Sequence, residues 1–409
     1  MNIKDVISAV QLVADEETEV LRHPLQAPGD GATKIGTTGD WKLTTSGGGL
    51  SYVSDAKWLE MRLEPEVITW PLTIHVATTG SDETGDGTAA NPFLSPNAAL
   101  TLIEGKAIAD CEVTVQLADG IYDQNAVTLE MTAPGFGTVQ TPAYLAIDGV
   151  TCLGTGKLRV KSENLHGAEI EKISVPGTCG IAVARSNGVI LDGLLIDKVS
   201  ATGAGLAILQ CNDVKVLNCD ITDNNYNNNT SAIYVMEAGN VVITGGHFTR
   251  CEAGIYLVGN SKGSVENCVV HSNKRGVQTR HSSYVAVEAN VTSGAAENIT
   301  GVVDQGGDVW RVSRAALTQN ELDHTLWVEI LGNTGITDGT YEVVATGVDY
   351  FDINGAGQVT SGTADGTVKL TNEKWGVYAS RASSASTASG HGLTGANGPE
   401  GTGSGGYIE

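Results

Sequence analysis

Residues 254–270 read GIYLVGNSKGSVENCVV. Apolar side chains come in short bursts, Ile255 with Leu257, then Val265, then Val269 with Val270, and Gly, Asn, Ser and Lys separate them. The same phrase recurs when the chain is aligned on Gly or Ala followed by an apolar residue. The copies start at Gly180-Ile181, Gly205-Leu206, Ala232-Ile233, Gly254-Ile255 and Gly276-Val277, in steps of 25, 27, 22 and 22 residues. Eight residues after the first apolar position a second burst follows in four of the five copies: Val189 with Leu191, Val214 with Val216, Val241 with Ile243, and Val285 with Val287. In the quoted copy that place holds Gly263 and then Val265. A third apolar position falls at Ile196, Ile221, Phe248 and Val270, with a one-residue slip near Val291.

Three short strands of period two cannot bury their inner faces alone. Stacking successive copies at the strand spacing of about 4.8 Å gives each a neighbour above and below. The repeat therefore predicts an all-β fold, a parallel β-helix with three strands per rung, and excludes a heptad or helical repeat, whose 3.5 or 3.6 periodicity is missing. Asn218 and Asn267 share one rung position, where asparagines at a turn would hydrogen-bond along the stack. Cys219 and Cys268 share the next, where a small residue suits a bend.

Composition narrows the partners. The chain has 409 residues, with 24 Lys plus Arg against 47 Asp plus Glu, a formal charge of −23. Such a body repels a nucleic-acid duplex or an anionic membrane surface. Fifty-two glycines and only 5% aromatics suit many tight turns. Seven cysteines without a CxxC spacing argue for buried free thiols rather than zinc or a disulfide framework, and no metal or cofactor is expected. The opening MNIKDVISAVQLVADEETEV carries acids where a secretory signal needs a continuous apolar run, and no stretch approaches the roughly 18 apolar residues of a membrane span.

Upstream of the repeat, IHVATTGSDETGDGTAANPF (74–93) precedes VTVQLADGIYDQ (113–124). These stretches resemble the start of the right-handed parallel β-helix proteins of the pectate-lyase-like superfamily, which includes bacteriophage tailspikes and many proteins acting on surface polysaccharides. The resemblance implies a capping helix near residues 94–109 over the open end of the solenoid. The predicted organisation is an N-terminal helix and attachment region (1–70), a β-helix (71–308), an inserted small β-domain (309–371), and a partial rung with a Gly-rich tail (372–409). The insert contains WVEILGNTGITDGTYEVVATGVDYFDI (327–353). It resembles a small β-domain, related to the first catalytic-cysteine half-domain of ubiquitin-activating enzymes, that recurs in phage tail proteins. The insert has no cysteine, so no ubiquitin chemistry is implied. Trp375-Gly376-Val377-Tyr378-Ala379 echoes Arg275-Gly276-Val277-Gln278-Thr279, which suggests that the solenoid resumes, and the Gly-rich end is expected to be flexible in isolation.

In the first 22 residues, Ile3, Val6, Val10 and Val13 are spaced 3, 4, 3, with Glu17 interrupting before Val20. β-Branched residues at both seam positions favour a trimer. The stub is too short to hold alone, and a helix docked on a partner or on its own domain fits equally. Outward positions on one solenoid face form the column Ala182, Ala207, Tyr234, Tyr256, Gln278. Tyr234 and Tyr256 beside Arg280 and His281 would suit a sugar platform, or packing against the attachment region or a neighbouring subunit. For catalysis, Glu266 and Glu288 fall at the same offset in consecutive rungs, at the separation of a retaining glycosidase pair, and Asp220 with His247 forms a second stacked pair. A solvated acidic surface accounts for such adjacency too.

The resemblance, together with an N-terminus that does not read as an export signal, leads to an expected role. It is a structural tail fibre or tailspike subunit of a bacteriophage, homotrimeric, assembled in the host cytoplasm and carried on the virion. It would attach to tail or baseplate proteins and contact bacterial surface polysaccharide. Two alternatives stay open: a tailspike depolymerase that hydrolyses or eliminates glycan through carboxylates, and a secreted bacterial β-helix adhesin or lyase.

Overall fold

The computed structural model describes residues 66–123, 127–133, 137–171, 179–197, 203–222, 230–314, 326–360, 363–380, 383–387 and short pieces from there to 408. Between residues 33 and 62 it describes the backbone of four strands. The chain divides into two compact units, Met1–Val67 with Gly105–Ala107, and Ile68–Glu104 with Ile108–Glu409. The first holds an antiparallel meander of Thr33–Ile35, Asp40–Thr44, Gly49–Ser54 and Lys57–Arg62. The expected N-terminal helix, with the seam residues Ile3, Val6, Val10, Val13 and Val20, lies outside the described residues.

The second unit is a right-handed parallel β-helix. Each coil contributes one strand to each of three sheets. The first sheet stacks Gly137–Asp148, Cys179–Ala184, Ala204–Leu209, Ser231–Met236, Ala253–Val258, Arg275–Arg280, Trp375–Ser380 and Glu400–Thr402 in parallel. The second runs from Leu72–Val76 through Asn187–Asp192, Asn212–Leu217, Gly239–Thr244 and Lys262–Glu266 to Tyr407–Ile408. The third runs from Gly120–Tyr122 through Leu195–Asp197, Asp220–Ile221 and His247–Thr249 to Val269–His271.

The repeat spacing maps directly onto the register. Ile181, Leu206, Ile233, Ile255, Val277 and Val377 form one inner column. Leu191, Val216, Ile243, Val265 and Val287 form a second, and Ile196, Ile221, Phe248 and Val270 a third. All are buried in one continuous core. Gly263 breaks the pattern for a steric reason. A Cβ there would meet the Val241 carbonyl at 2.8 Å, with Leu257 Cδ2 next at 3.4 Å.

Corners use left-handed backbone. Arg185, Gln210, Glu237, Asn260 and His281 have φ between 47° and 63° where the first sheet passes to the second. Asn218 and Asn267 do the same before the third sheet, both at φ 50°. They do not bond each other, because Gly245 occupies the intervening coil. Asn218 instead donates to Asp192 Oδ1 at 3.4 Å, and the Asn267 N–H to Asn290 Oδ1 at 3.1 Å. Cys219 and Cys268 are buried free thiols at the next position, and burial pushes both up to about 12. A fully buried asparagine pair sits at the third corner. Asn273 Nδ2 donates to the Phe248 carbonyl at 2.8 Å, and Asn372 Oδ1 accepts from the Asn273 N–H at 3.3 Å.

Three expected boundaries move. The capping helix is one short segment, Pro96–Thr101, with the Ser95 side chain accepting from the Ala98 N–H at 3.2 Å and Pro at the first turn. It stops well before 109 because Gly105 takes φ 71°, which no helix continues. The insert is wider than 309–371. Its seven-stranded antiparallel sheet also includes Glu297–Asn298 and Gly301–Gly306, the latter paired to Val309–Ser313. Val302 packs on the insert's own core of Val312, Val328, Ile330, Tyr341, Phe351 and Val368. The Gly-rich end contributes to coils as well: Glu400–Thr402 pairs with Trp375–Ser380 and Tyr407–Ile408 with Ser384–Thr387. Its glycines permit close approach, since a Cβ at Gly401 would meet the Trp375 ring at 2.5 Å. Among the described residues no helix is long and apolar enough to cross a membrane.

Candidate functional site: the outer face of the first sheet

Period two sends every second residue of the first sheet outward, and parallel register aligns those residues coil upon coil. The outward column reads Ala146, Ala182, Ala207, Tyr234, Tyr256, Gln278, Tyr378. Beside it run Ala184, Leu209, Met236 and Val258, buried in an apolar cluster separate from the solenoid interior. Ala182 and Ala207 are also buried, so the first half of the face is closed and the candidate site begins at Tyr234.

Tyr234 and Tyr256 are half-buried and meet edge to face, with centroids 5.6 Å apart and planes at 70°. They do not form a flat stacked platform. An edge-to-face pair sets the positive edge of one ring against the negative face of the other. Burial, with the neighbouring Tyr256 and Glu237, pushes the Tyr234 hydroxyl up to about 12, so it stays a neutral donor at physiological pH. The Arg280 guanidinium lies 5.9 Å from the Tyr256 ring centre. Gln278 is buried, and with its amide oxygen turned to Arg280 it accepts from Nε at 2.8 Å and Nη2 at 3.2 Å. On the same strand, Arg275 lies 5.0 Å from the ring centre of Tyr378, one coil on, and pairs with Glu252 at 3.1 Å. His281 stands at the left-handed corner next to Arg280.

Thus Tyr234, Tyr256 and Arg280 are brought together, Gln278, Tyr378 and Arg275 join them, and His281 lies at the corner beyond Arg280. Tyr378 had a signal in the sequence, the echo that sets it at the position of Gln278. Arg275 had none, since its partner Glu252 lies in the previous coil.

The candidate acid–base groups lie elsewhere. Asp220 and His247 are one coil apart in the third sheet. Asp220 Oδ1 accepts the His247 N–H at 2.8 Å and faces its Nδ1 at 3.1 Å. The other oxygen faces His166 Nδ1 at 3.4 Å, a partner that the repeat does not announce. His166 reaches back from a left-handed position (φ 59°), and its Nε2 lies 2.8 Å from the Asn218 carbonyl. Glu266 and Glu288 follow Val265 and Val287, which pair in adjoining coils. Glu266 is half-buried and accepts from Ser264 Oγ at 3.3 Å, while Glu288 is exposed. Among the described residues no group of three His, Cys, Asp or Glu is placed to hold a metal ion.

No curated protein sequence is significantly similar to this chain. Several solved structures are. A complex of XylC with xylose matches at 11% identity and a TM-score of 0.32, over 55% of this chain and 66% of that one. A rhamnogalacturonan lyase matches at 11% identity and a TM-score of 0.29, over 54% of this chain and 74% of that one. Tailspike protein 2 of the Escherichia coli O157:H7 bacteriophage CAB120 matches at 10% identity and a TM-score of 0.22, over 89% and 74%. The chain spans only part of each. Residues 148–321 match the family model described as the right handed beta helix region, and the fold of this chain is the all-β, right-handed parallel β-helix.

Proposed function

We propose that this protein binds a surface polysaccharide along the outer face of its first sheet, and that it serves as a tail fibre or tailspike subunit of a bacteriophage. The observation that carries the binding half is the row Tyr234, Tyr256, Gln278 and Tyr378 with its two flanking arginines. Ring edges and faces cover apolar sugar surfaces, while hydroxyl, amide and guanidinium groups satisfy sugar oxygens. A row that repeats once per coil suits a ligand that itself repeats. The hydrogen-bonded strands beneath hold the row in place without the ligand's help.

The virion half rests on the resemblance of residues 74–93 and 113–124 to pectate-lyase-like β-helices, tailspikes among them, and of the insert to a phage tail module. In this reading the subunit is a homotrimer, fixed to tail or baseplate proteins by its N-terminal region. With a charge of −23 it takes neither nucleic acid nor membrane as partner.

Titration calorimetry with purified bacterial surface polysaccharides tests the binding. Tyr234→Ala combined with Tyr256→Ala is expected to weaken it at least about tenfold, with a thermal melt showing that the double variant still folds. Equal binding by that double variant overturns the reading. Light scattering is expected to give three chains, and a single-chain mass overturns the trimer. Absence of the protein from purified particles overturns the virion role.

A second reading, cleavage of the bound glycan, is favoured by Asp220, whose two oxygens face two histidines. A carboxylate that orients an imidazole is the arrangement of a general base. Release of reducing ends, lost in Asp220→Asn, is the expected sign. Release unaffected by Asp220→Asn but lost in Glu266→Gln or Glu288→Gln would move the chemistry to the other carboxylate pair.

A further inference from the structure

Taking the polysaccharide reading as its basis, we infer that the glycan is acidic, and that Arg280, positioned by Gln278, receives its carboxylate. Arg159, Arg185, Arg275 and Arg311 each meet a carboxylate of this chain, on Glu112 and Asp192, Asp148, Glu252 and Asp352. Arg280 meets none. Its contacts are the neutral Gln278 amide and the Tyr256 ring. In a chain with 47 carboxylates against 24 cationic side chains, an arginine that finds only neutral partners leaves a charge for something else to meet.

The geometry says which edge is left. Gln278 occupies the side of the guanidinium formed by Nε and Nη2. The end formed by Nη1 and Nη2 keeps donors in the planar fork that matches a carboxylate bidentately. Gln278 is itself buried, so its amide is fixed and holds the guanidinium beside Tyr256. Val258 and Met236, buried in the neighbouring column, lower the local dielectric and strengthen an ion pair formed there. Gln rather than Glu at 278 is essential to the argument: a carboxylate at that place would neutralise Arg280 internally.

The test uses the full-length protein and a panel of bacterial surface polysaccharides, each acidic member paired with its carboxyl-reduced form. Binding is expected for uronate-bearing members, with at least a tenfold loss on carboxyl reduction and a further loss as salt rises. Arg280→Gln should abolish the difference between each acidic polysaccharide and its reduced form. Gln278→Glu should do the same by pairing with Arg280, whereas Gln278→Met, which frees the guanidinium without competing for it, should weaken acidic binding only partly. Thermal melts check that each variant folds. Equal affinity for acidic and reduced members, or Arg280→Gln retaining the preference, overturns this inference and leaves the polysaccharide reading standing. Failure to bind any member, acidic or neutral, overturns both.

Discussion

In the coils, a strand's partners lie one turn of chain behind and one ahead, so Ile233 pairs with Leu206 and with Ile255. In the insert, Trp327–Leu331 pairs antiparallel with Gly339–Gly347, and Gly339–Gly347 pairs across a short turn with Tyr350–Asn354. Both regions bury Val, Ile and Phe, yet they record their structure differently. A coil must match its neighbour at every position, so the sequence repeats. A hairpin sheet must only alternate inward and outward, so it carries no period longer than two. The coils also share one core, whereas the insert has its own.

That contrast sets the largest expected effect. Phe248 is fully buried between Ile221 and Val270 in the third sheet. Phe248→Ala should cost about 3–5 kcal/mol and lower the denaturant midpoint of the coils as a whole. Phe351→Ala, equally buried in the insert, should cost a similar amount but melt the insert first, giving two transitions. A single shared transition in both variants would show that the two cores unfold as one.

The joint between the regions comes next. Asn273 and Asn372 are fully buried, and Asn372 Nδ2 also donates to the Val270 carbonyl at 3.1 Å. Asn372→Ala leaves buried backbone groups unpaired and should cost about 1–3 kcal/mol. Hydrogen exchange should quicken on both sides of the joint, at residues 270–273 and 371–374. Exchange confined to the insert would mean that the joint does not tie the two together.

The coils should show an alkaline pH dependence that rests on two buried thiols, a group the insert lacks. Burial raises the Cys219 and Cys268 thiols from 9.0 to about 12. Between these values the folded chain keeps protons that the unfolded chain releases. The stability is therefore fully present below about 9 and is lost as pH rises toward about 12. Cys219→Ala with Cys268→Ala should flatten the fall in denaturant midpoint between those pH values. An unchanged slope would assign the loss to other groups.

The smallest effect concerns the last coil. Gly401→Ala would place a methyl against Trp375. It should speed exchange at 400–402 and shift the Trp375 emission, with little change in the overall melting temperature. A large drop in stability would mean that the end of the chain supports the earlier coils.

Much of the fold was legible because repetition makes one local fact visible several times. The inner columns, the turn positions of Asn218 and Asn267, and the place of Cys219 and Cys268 at a bend all followed from counting. Where repetition failed, so did the reading. The expected β-helix runs to 308 and so takes in residues 301–306, but their strand pairs antiparallel with Val309–Ser313 in the insert. The Gly-rich end looked flexible from composition, although its glycines permit close contact with the coil before it. At the site, the tyrosine column was countable, but its edge-to-face geometry was not, since it depends on how two rings share the space between strands. His166 escaped notice because it reaches Asp220 across coils, from a corner without a repeated signature.

The sequence by itself determined the winding, the direction in which each side chain of the repeat points, and the alignment of Tyr234 with Tyr256. A period of 22 to 27 residues with two-residue alternation has few other ways to bury its apolar positions. Only the tertiary structure decided which outward groups meet. It set Gln278 against Arg280, Arg275 against Tyr378 and Glu252, and two histidines against Asp220. Those meetings depend on side-chain length, on burial and on what the neighbouring coil presents, none of which a single repeat unit contains.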